Sequence, residues 1–537
     1  MSLLSLCKPA KFGLALLISC SALLAGASAQ AESVLRRGIV GEPNAFDPAK
    51  ASLWHEYYLM KDIFEGLVSY DSTGKIVPGV AESWSTSPDD TVYTFKLRPD
   101  AKWSDGTAVT AHDFVYSLRR ELDPATAAMD PRLQFPIKNA RAINKGEMPA
   151  DQLGVRAIDD HNLEITLERP TPYYINLAAH GTALPVNRAN IEKDGSKFAR
   201  PGTLVSNGPF KLVEHVSNDH ITLAKNEAYW DAKNVKLDKV IFTPLVDQAA
   251  SVRRFEAREI DMITGFPAAE LGRLRKAFGD EVRVSPSLTV EYYVFDTRQP
   301  PFDDIRLRRA LSMVIDRDFL AKEIFYDSAK PSYSMMAPGI PAYGAPSKVD
   351  FADLSMIDRE DMALELMKEA GYGPGGKPLD ITIRYSTSAT NEQAATAIAS
   401  MWKEAFGFNV TLHNLDLASH YGYLQQGGEF QVARASRTPE YADAEATLSL
   451  DLSSQKTYNY GRYNNPEYDA LLARSYTEAD PSVRSATLHK AESLLMHDQV
   501  IMPLLNIGNL WMVASKVEGF HDNALNEHPS KYLSVSE

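Results

Sequence analysis

The chain has 537 residues, enough at ~150 residues per domain for several lobes around more than one core. Its 56 Lys and Arg against 70 Asp and Glu give a formal charge of −14, which excludes a nucleic-acid binder relying on a basic face. The composition, 44% hydrophobic and 23% charged, is globular, and the only cysteines, Cys7 and Cys20, exclude a disulfide scaffold or a Cys-ligated metal site over most of the chain.

Residues 1–31 read as an export signal. Lys8 and Lys11 supply the positive segment, Phe12 to Ala25 the apolar run, and small residues frame cleavage after Ala29 or after Ala31. The run is shorter than the ~20 residues that span a bilayer. Leu17-Ile-Ser-Cys20 also fits a lipoprotein site, but the apolar run continues through Leu24, which favours soluble release after export. Removal of this segment takes two Lys and no acid, leaving 54 basic against 70 acidic residues, a charge of −16, and no thiol.

In the mature chain, Thr91–Leu97 alternates apolar and polar positions as a half-buried strand does, and Asn162–Glu168 repeats the pattern; both are expected in one mixed lobe. Asp304 is placed to cap a helix with Leu307, Leu311 and Val314 on one stripe, Arg306, Arg308 and Arg309 pointing elsewhere. Ile381–Tyr385, Gln393–Phe406 and Asn409–Leu412 read as strand, helix and strand of a βαβ-rich α/β lobe. A last helix starts near Pro481 and carries Leu488, Ala491 and Leu495 on one stripe. No Ser/Gly or Pro linker separates lobes, so short strand crossovers are the expected connections.

Motifs for chemistry are missing. His55-Glu-Tyr-Tyr-Leu59 begins like a zinc-protease motif without its second His, and no nucleophile elbow or phosphate loop occurs. Gly371-Tyr-Gly373-Pro-Gly-Gly376 has dinucleotide-fingerprint spacing, yet it follows a helix (Asp361–Ala370) and precedes a strand, the reverse of what a pyrophosphate cradle needs, so Gly371 reads as a helix C-cap. The 12 His are scattered. No cofactor, no metal site and no catalytic residue is expected. A catalytic Ser/His/Asp set assembled from distant residues leaves no trace of this kind, and nothing positive points to one.

Longer strings say more. Ala81-Glu-Ser-Trp84, Thr91 to Thr107 and Thr110-Ala-His-Asp-Phe-Val-Tyr116 together resemble the signature of the large extracytoplasmic solute-binding proteins of peptide-class ABC importers. The resemblance continues at Phe64-Glu-Gly-Leu67, Ser206 to Leu212, Asn226 to Asp231, Pro301 to Leu311 with Ile315-Asp-Arg317, and Tyr463 to Leu472. Gln431-Val-Ala-Arg-Ala-Ser436 makes the chain most similar to the oligopeptide-binding members. The resemblance implies an α/β, two-lobed periplasmic-binding-protein fold with a hinge and an extra inserted lobe. It places lobe I at 32–64, 191–288 and 508–537, inserted lobe II at 65–190 and lobe III at 289–507. It further implies a monomer that performs no chemistry, captures short oligopeptides in a closing cleft and delivers them to membrane permease subunits. The same scaffold also hosts opines, murein fragments, heme and metal chelates, and an exported peptidase is a third reading.

The resemblance also implies site residues. Glu440 stands where oligopeptide binders carry an Asp for the peptide's α-amino group; the alternative is an exposed loop acid. Arg434 matches an Arg able to meet a ligand carboxylate, or is a strand arginine satisfied by structural acids. Tyr292 matches an aromatic lining position or belongs to the core. Arg437 replaces a family Trp and suggests an added positive charge beside the amine end, hence acidic ligands or amino-acid conjugates. Asn391 stands about where relatives carry a cleft-lining His, and the early acidic contact falls near Ser52, with Trp54 and His55 adjacent. Thr289 and Thr438 fall where some relatives carry a disulfide.

Overall fold

The computed structural model describes residues 32–536; the export segment and both cysteines lie outside the described residues. Leu35 and Ile39 bury the inner face of the strand Val34–Ile39, at the middle of a seven-stranded sheet, where it runs parallel to Lys239–Pro244. The rest of that sheet comes from residues 210–285 and 509–513. Val92–Leu97 alternates as expected, with Tyr93, Phe95 and Leu97 buried, and pairs antiparallel with Asn162–Thr166 in a four-stranded sheet.

A six-stranded sheet takes its strands from residues 290–507. Asp380–Ser386 and Asn409–Leu415 are parallel neighbours joined by the helix Ala389–Phe406, the βαβ unit read from the sequence. The helix Ile305–Met313 starts on the Asp304 carboxylate, which accepts from Arg306 N–H at 2.9 Å. Its Arg308 is buried, however, donating to the carbonyls of Phe302, Asp498 and Gln499. The helix Met356–Glu369 is followed by Gly371 at φ +84°, the left-handed residue that ends it. Val290–Phe295 shows no alternation because it lies between two strands and is buried on both faces.

Burial divides into two apolar cores. One gathers side chains from residues 35–282 and 511–533, with Tyr476 added from the other body, and serves both the seven- and the four-stranded sheet; the other gathers residues 288–505. The inserted segment therefore has its own sheet but shares its core. The main chain passes between cores twice, side by side: once from Val282–Ser285 to Val290–Phe295, and back from Ile501–Ile507 to Asn509–Val513. These strands pair antiparallel on both sides of the crossing, Ser285 with Asn509 and Val290 with Asn506, and Ile507 N–H donates to Thr289 O at 3.0 Å between them. Among the described residues no helix is long and apolar enough to cross a membrane.

Three of the family-like strings meet around one buried carboxylate. Glu65 Oε1 accepts from Tyr229 Oη at 2.5 Å and Lys531 Nζ at 2.8 Å, and Oε2 from Trp230 Nε1 at 2.6 Å. Asn207 clamps the Glu65 backbone through both amide atoms, and Asn226 donates to Gly208 O. A Cβ at Gly208 would lie 2.6 Å from the Ile63 carbonyl oxygen, so only glycine permits this approach. The strings Phe64–Leu67, Ser206–Leu212 and Asn226–Asp231 are thus framework.

At the crossing, a Cβ on Gly508 would lie 2.5 Å from Val284 Cγ1 and 2.9 Å from Ser328 O. Gly508→Ala should lower the unfolding free energy by about 1–3 kcal/mol, the usual cost of overpacking, as read by urea denaturation. An unchanged midpoint would show that the crossing has room to spare.

Candidate functional site

The strand Val432–Arg437 runs antiparallel to Val290–Phe295, and period-two geometry sends its two arginines to opposite faces. On one face, Arg434 reaches diagonally to Glu291, Nε to Oε1 and Nη2 to Oε2 both at 2.5 Å, with Tyr421 Oη and Ser386 Oγ at 3.3 and 3.4 Å. Burial raises the Glu291 carboxyl pKa, and Arg434 opposes that shift. On the other face, Arg437 lies 5.4 Å over the Tyr292 ring and donates to Asp451 at 2.6 and 3.3 Å and to Thr447 O at 3.2 Å. Burial works against the Arg437 charge, but Asp451 outweighs it and holds the guanidinium firmly protonated.

Beyond that strand, a loop carries Glu440 to the mouth of a cavity of about 170 Å³ lined by Arg132, Tyr292, Arg437, Glu440, Tyr458 and Tyr460. Glu440 forms an ion pair with Arg132, which also holds Asp130 through Nε–Oδ1 at 2.8 Å. The two side chains of that pair keep 35% and 43% of their surface exposed, so the Glu440 carboxylate remains accessible from the cavity. Burial also works against the Arg132 charge, while Glu440 and then Asp130 hold its pKa above the ordinary value. Thr438 lines this cavity and an adjoining one of about 260 Å³, to which Trp54, His55, Tyr58 and Asn526 contribute. Thr438 Oγ1 lies 2.8 Å from Thr289 Oγ1, so a hydrogen bond joins the positions at which some relatives are expected to carry a disulfide.

Glu440, Arg437 and Tyr292 are therefore brought together, and Trp54, 45% exposed at the start of the helix Trp54–Ile63, borders the second cavity. Arg434 and Asn391 line neither. Asn391 donates to Ser386 O at 2.8 Å and Oγ at 3.1 Å, securing the turn into its own helix. Arg437 brings no free charge, because Asp451 neutralises it; the expectation of an added positive charge is corrected by that pair. The Ser52 N–H is turned to Glu56 Oε2 at 2.8 Å. Arg132, Asp130, Asp451, Tyr458 and Tyr460 were not legible as site residues, since Asp130 and Arg132 lie some three hundred residues from Glu440 and the other three fall between the resembling strings.

Charges decide what the first cavity accepts. Arg437 and Asp451 cancel, and Arg132 faces two carboxylates, Asp130 and Glu440, leaving one net negative charge. A single cationic group would balance it, with tyrosine faces beside it.

The Arg437–Asp451 pair should behave as a buried pair does. Arg437→Met alone should cost ~3–5 kcal/mol by stranding Asp451, whereas Arg437→Met with Asp451→Leu should recover most of it. Chemical denaturation of the three proteins checks this; an equally unstable double variant would show that packing, not charge, dominates.

Residues 75–459 match the family described as bacterial extracellular solute-binding proteins, family 5, middle. The periplasmic murein peptide-binding protein MppA of Escherichia coli is 38% identical over 519 residues, 95% of each chain. The structure of the murein tripeptide-binding protein MppA in its unliganded open form superposes with a TM-score of 0.85 at 37% identity, covering 94% of this chain and 98% of that one. Haemophilus influenzae OppA in complex with RPPGFSPFR gives 0.76 at 32% identity, covering 95% and 100%. Two cores joined by paired strands, a polar cavity beside the crossing and these matches lead to one conclusion: the chain belongs to family 5 of the bacterial extracellular solute-binding proteins.

Proposed function

We propose that this chain is the periplasmic substrate-binding component of an ABC importer and that it captures short peptides, murein-derived ones among them, by their free α-amino end. The observation that carries the reading is Glu440, an accessible carboxylate in a cavity with one net negative charge, at the position where the oligopeptide-binding resemblance expects an amine anchor. The relatives bind murein peptide and, in the H. influenzae protein, a peptide of nine residues. Peptide ammonium on Glu440 makes a charge-assisted bond, and the half-buried Tyr458 offers apolar ring surface to the first residue, with the buried Tyr292 and Tyr460 behind the cavity wall. The adjoining cavity with Trp54 takes the chain onward, and Thr438 lies at the junction.

Three lobes divide the labour. Each of the three large sheets falls within one of the segments assigned to lobes I, II and III, which supports that division. The paired crossing at 285–290 and 506–509 acts as the hinge, and closing over the ligand buries it between the cores. The protein acts by binding alone and returns its peptide intact.

A mixed library of di- to pentapeptides should raise the melting temperature; at 100 times the dissociation constant the native state gains ~2.7 kcal/mol. N-acetylation of a bound peptide, or Glu440→Gln, should each weaken binding at least about tenfold, because either removes one charge of the pair. Calorimetric affinities unchanged by both would remove Glu440 from the amine site. Peptide fragments after incubation would show hydrolysis instead of binding.

A further inference from the structure

Resting on that reading, we infer that Arg132 is a built-in competitor for the amine site: its guanidinium occupies the Glu440 carboxylate, and a ligand's ammonium must displace it, with Asp130 receiving the displaced cation. Three observations lead there. Arg132 belongs to the inserted segment, in the short turn Pro131–Gln134, whereas Glu440 belongs to the loop after Val432–Arg437, so the pair ties lobe II to lobe III across the cavity. The next residue of that loop is tied in the same direction, Tyr441 stacking on Tyr173 of the inserted segment with centroids 5.2 Å apart and planes 12° off parallel. Asp130 holds Arg132 at 2.8 and 3.3 Å on a different carboxylate, so the guanidinium does not lose all its partners when Glu440 is taken.

The exchange has a chemical consequence. Before and after it, Glu440 carries one cationic partner, while Arg132 goes from two carboxylates to Asp130 alone. Binding then swaps one ion pair for another, which selects ligands with a free amine over neutral ones, yet makes affinity only weakly dependent on salt. An aliphatic side chain at 132 removes the competitor, and loss of the Asp130 charge removes the receiver.

Trialanine and N-acetyl-trialanine serve as probes, with calorimetry at low and high salt. Arg132→Met should tighten trialanine binding about two- to fivefold, the worth of a partly exposed ion pair, and steepen its salt dependence. Arg132→Lys should restore the shallow salt slope, and Asp130→Asn should weaken binding by a similar factor by leaving Arg132 with Glu440 alone. The acetylated probe should not respond to Arg132→Met. Weakening by Arg132→Met comparable to that of Glu440→Gln would mean that Arg132 itself holds the ligand and would overturn the inference, as would unchanged affinity and salt slope in both variants. If trialanine fails to bind the unaltered protein, the peptide reading fails with it; amide hydrogen exchange over 438–441 in the protein alone then decides the role of Arg132. Faster exchange in Arg132→Met supports the tie, and unchanged exchange overturns it.

Discussion

Everything about the cleft depends on the chain changing cores at one place. Because the outgoing and returning strands cross side by side and pair on both sides, the two bodies are joined by a short two-stranded ribbon. A ribbon of this kind bends across its hydrogen bonds far more easily than either packed core deforms, since cores at crystal-like density resist strain. Gly508 lets the returning strand pass against Val284 and Ser328, where any side chain would push the bodies apart. The cavities lie beside this ribbon, and the Thr289–Thr438 hydrogen bond ties the ribbon's edge to the loop that carries Glu440.

Several buried charges in this protein are paired in one way. Glu65, Glu291, Asp451 and Asp443 each hold a Lys or Arg at hydrogen-bond distance, which offsets the cost of desolvation and holds neighbouring strings in register. Arg317, fully buried without a carboxylate, is satisfied instead by the carbonyls of Ser312, Ile315, Ser332 and Pro503, and burial lowers its pKa to about 10. Around Arg132 the count is uneven, one guanidinium between two carboxylates, and the pair is partly open to solvent. An unbalanced, accessible charge among balanced buried ones is where a charged partner is wanted.

The strings that made the family legible and the residues that make the site are different residues. Phe64–Leu67, Ser206–Leu212 and Asn226–Asp231 lie around Glu65, and Ile315-Asp-Arg317 bonds backbone carbonyls; none lines either cavity. Within them Asn207 and Asn226 hold backbone atoms, and Tyr229 and Trp230 hold the Glu65 carboxylate. Glu440 was reachable only through its distance from Val-Ala-Arg-Ala, and Arg132 not at all.

Composition, the period-two and 3.6-residue patterns and the long strings determined the elements, the α/β class and the family, because these are set by local burial and by contacts framed within short stretches. Tertiary structure decided the rest. Strand parity sent Arg434 to Glu291 and Arg437 to the cavity; Asp451, fourteen positions on, cancelled the charge of Arg437; and a turn some three hundred residues away delivered Arg132 to Glu440. Charge balance is a property of what a fold brings within a few ångströms, and no run of residues contains it.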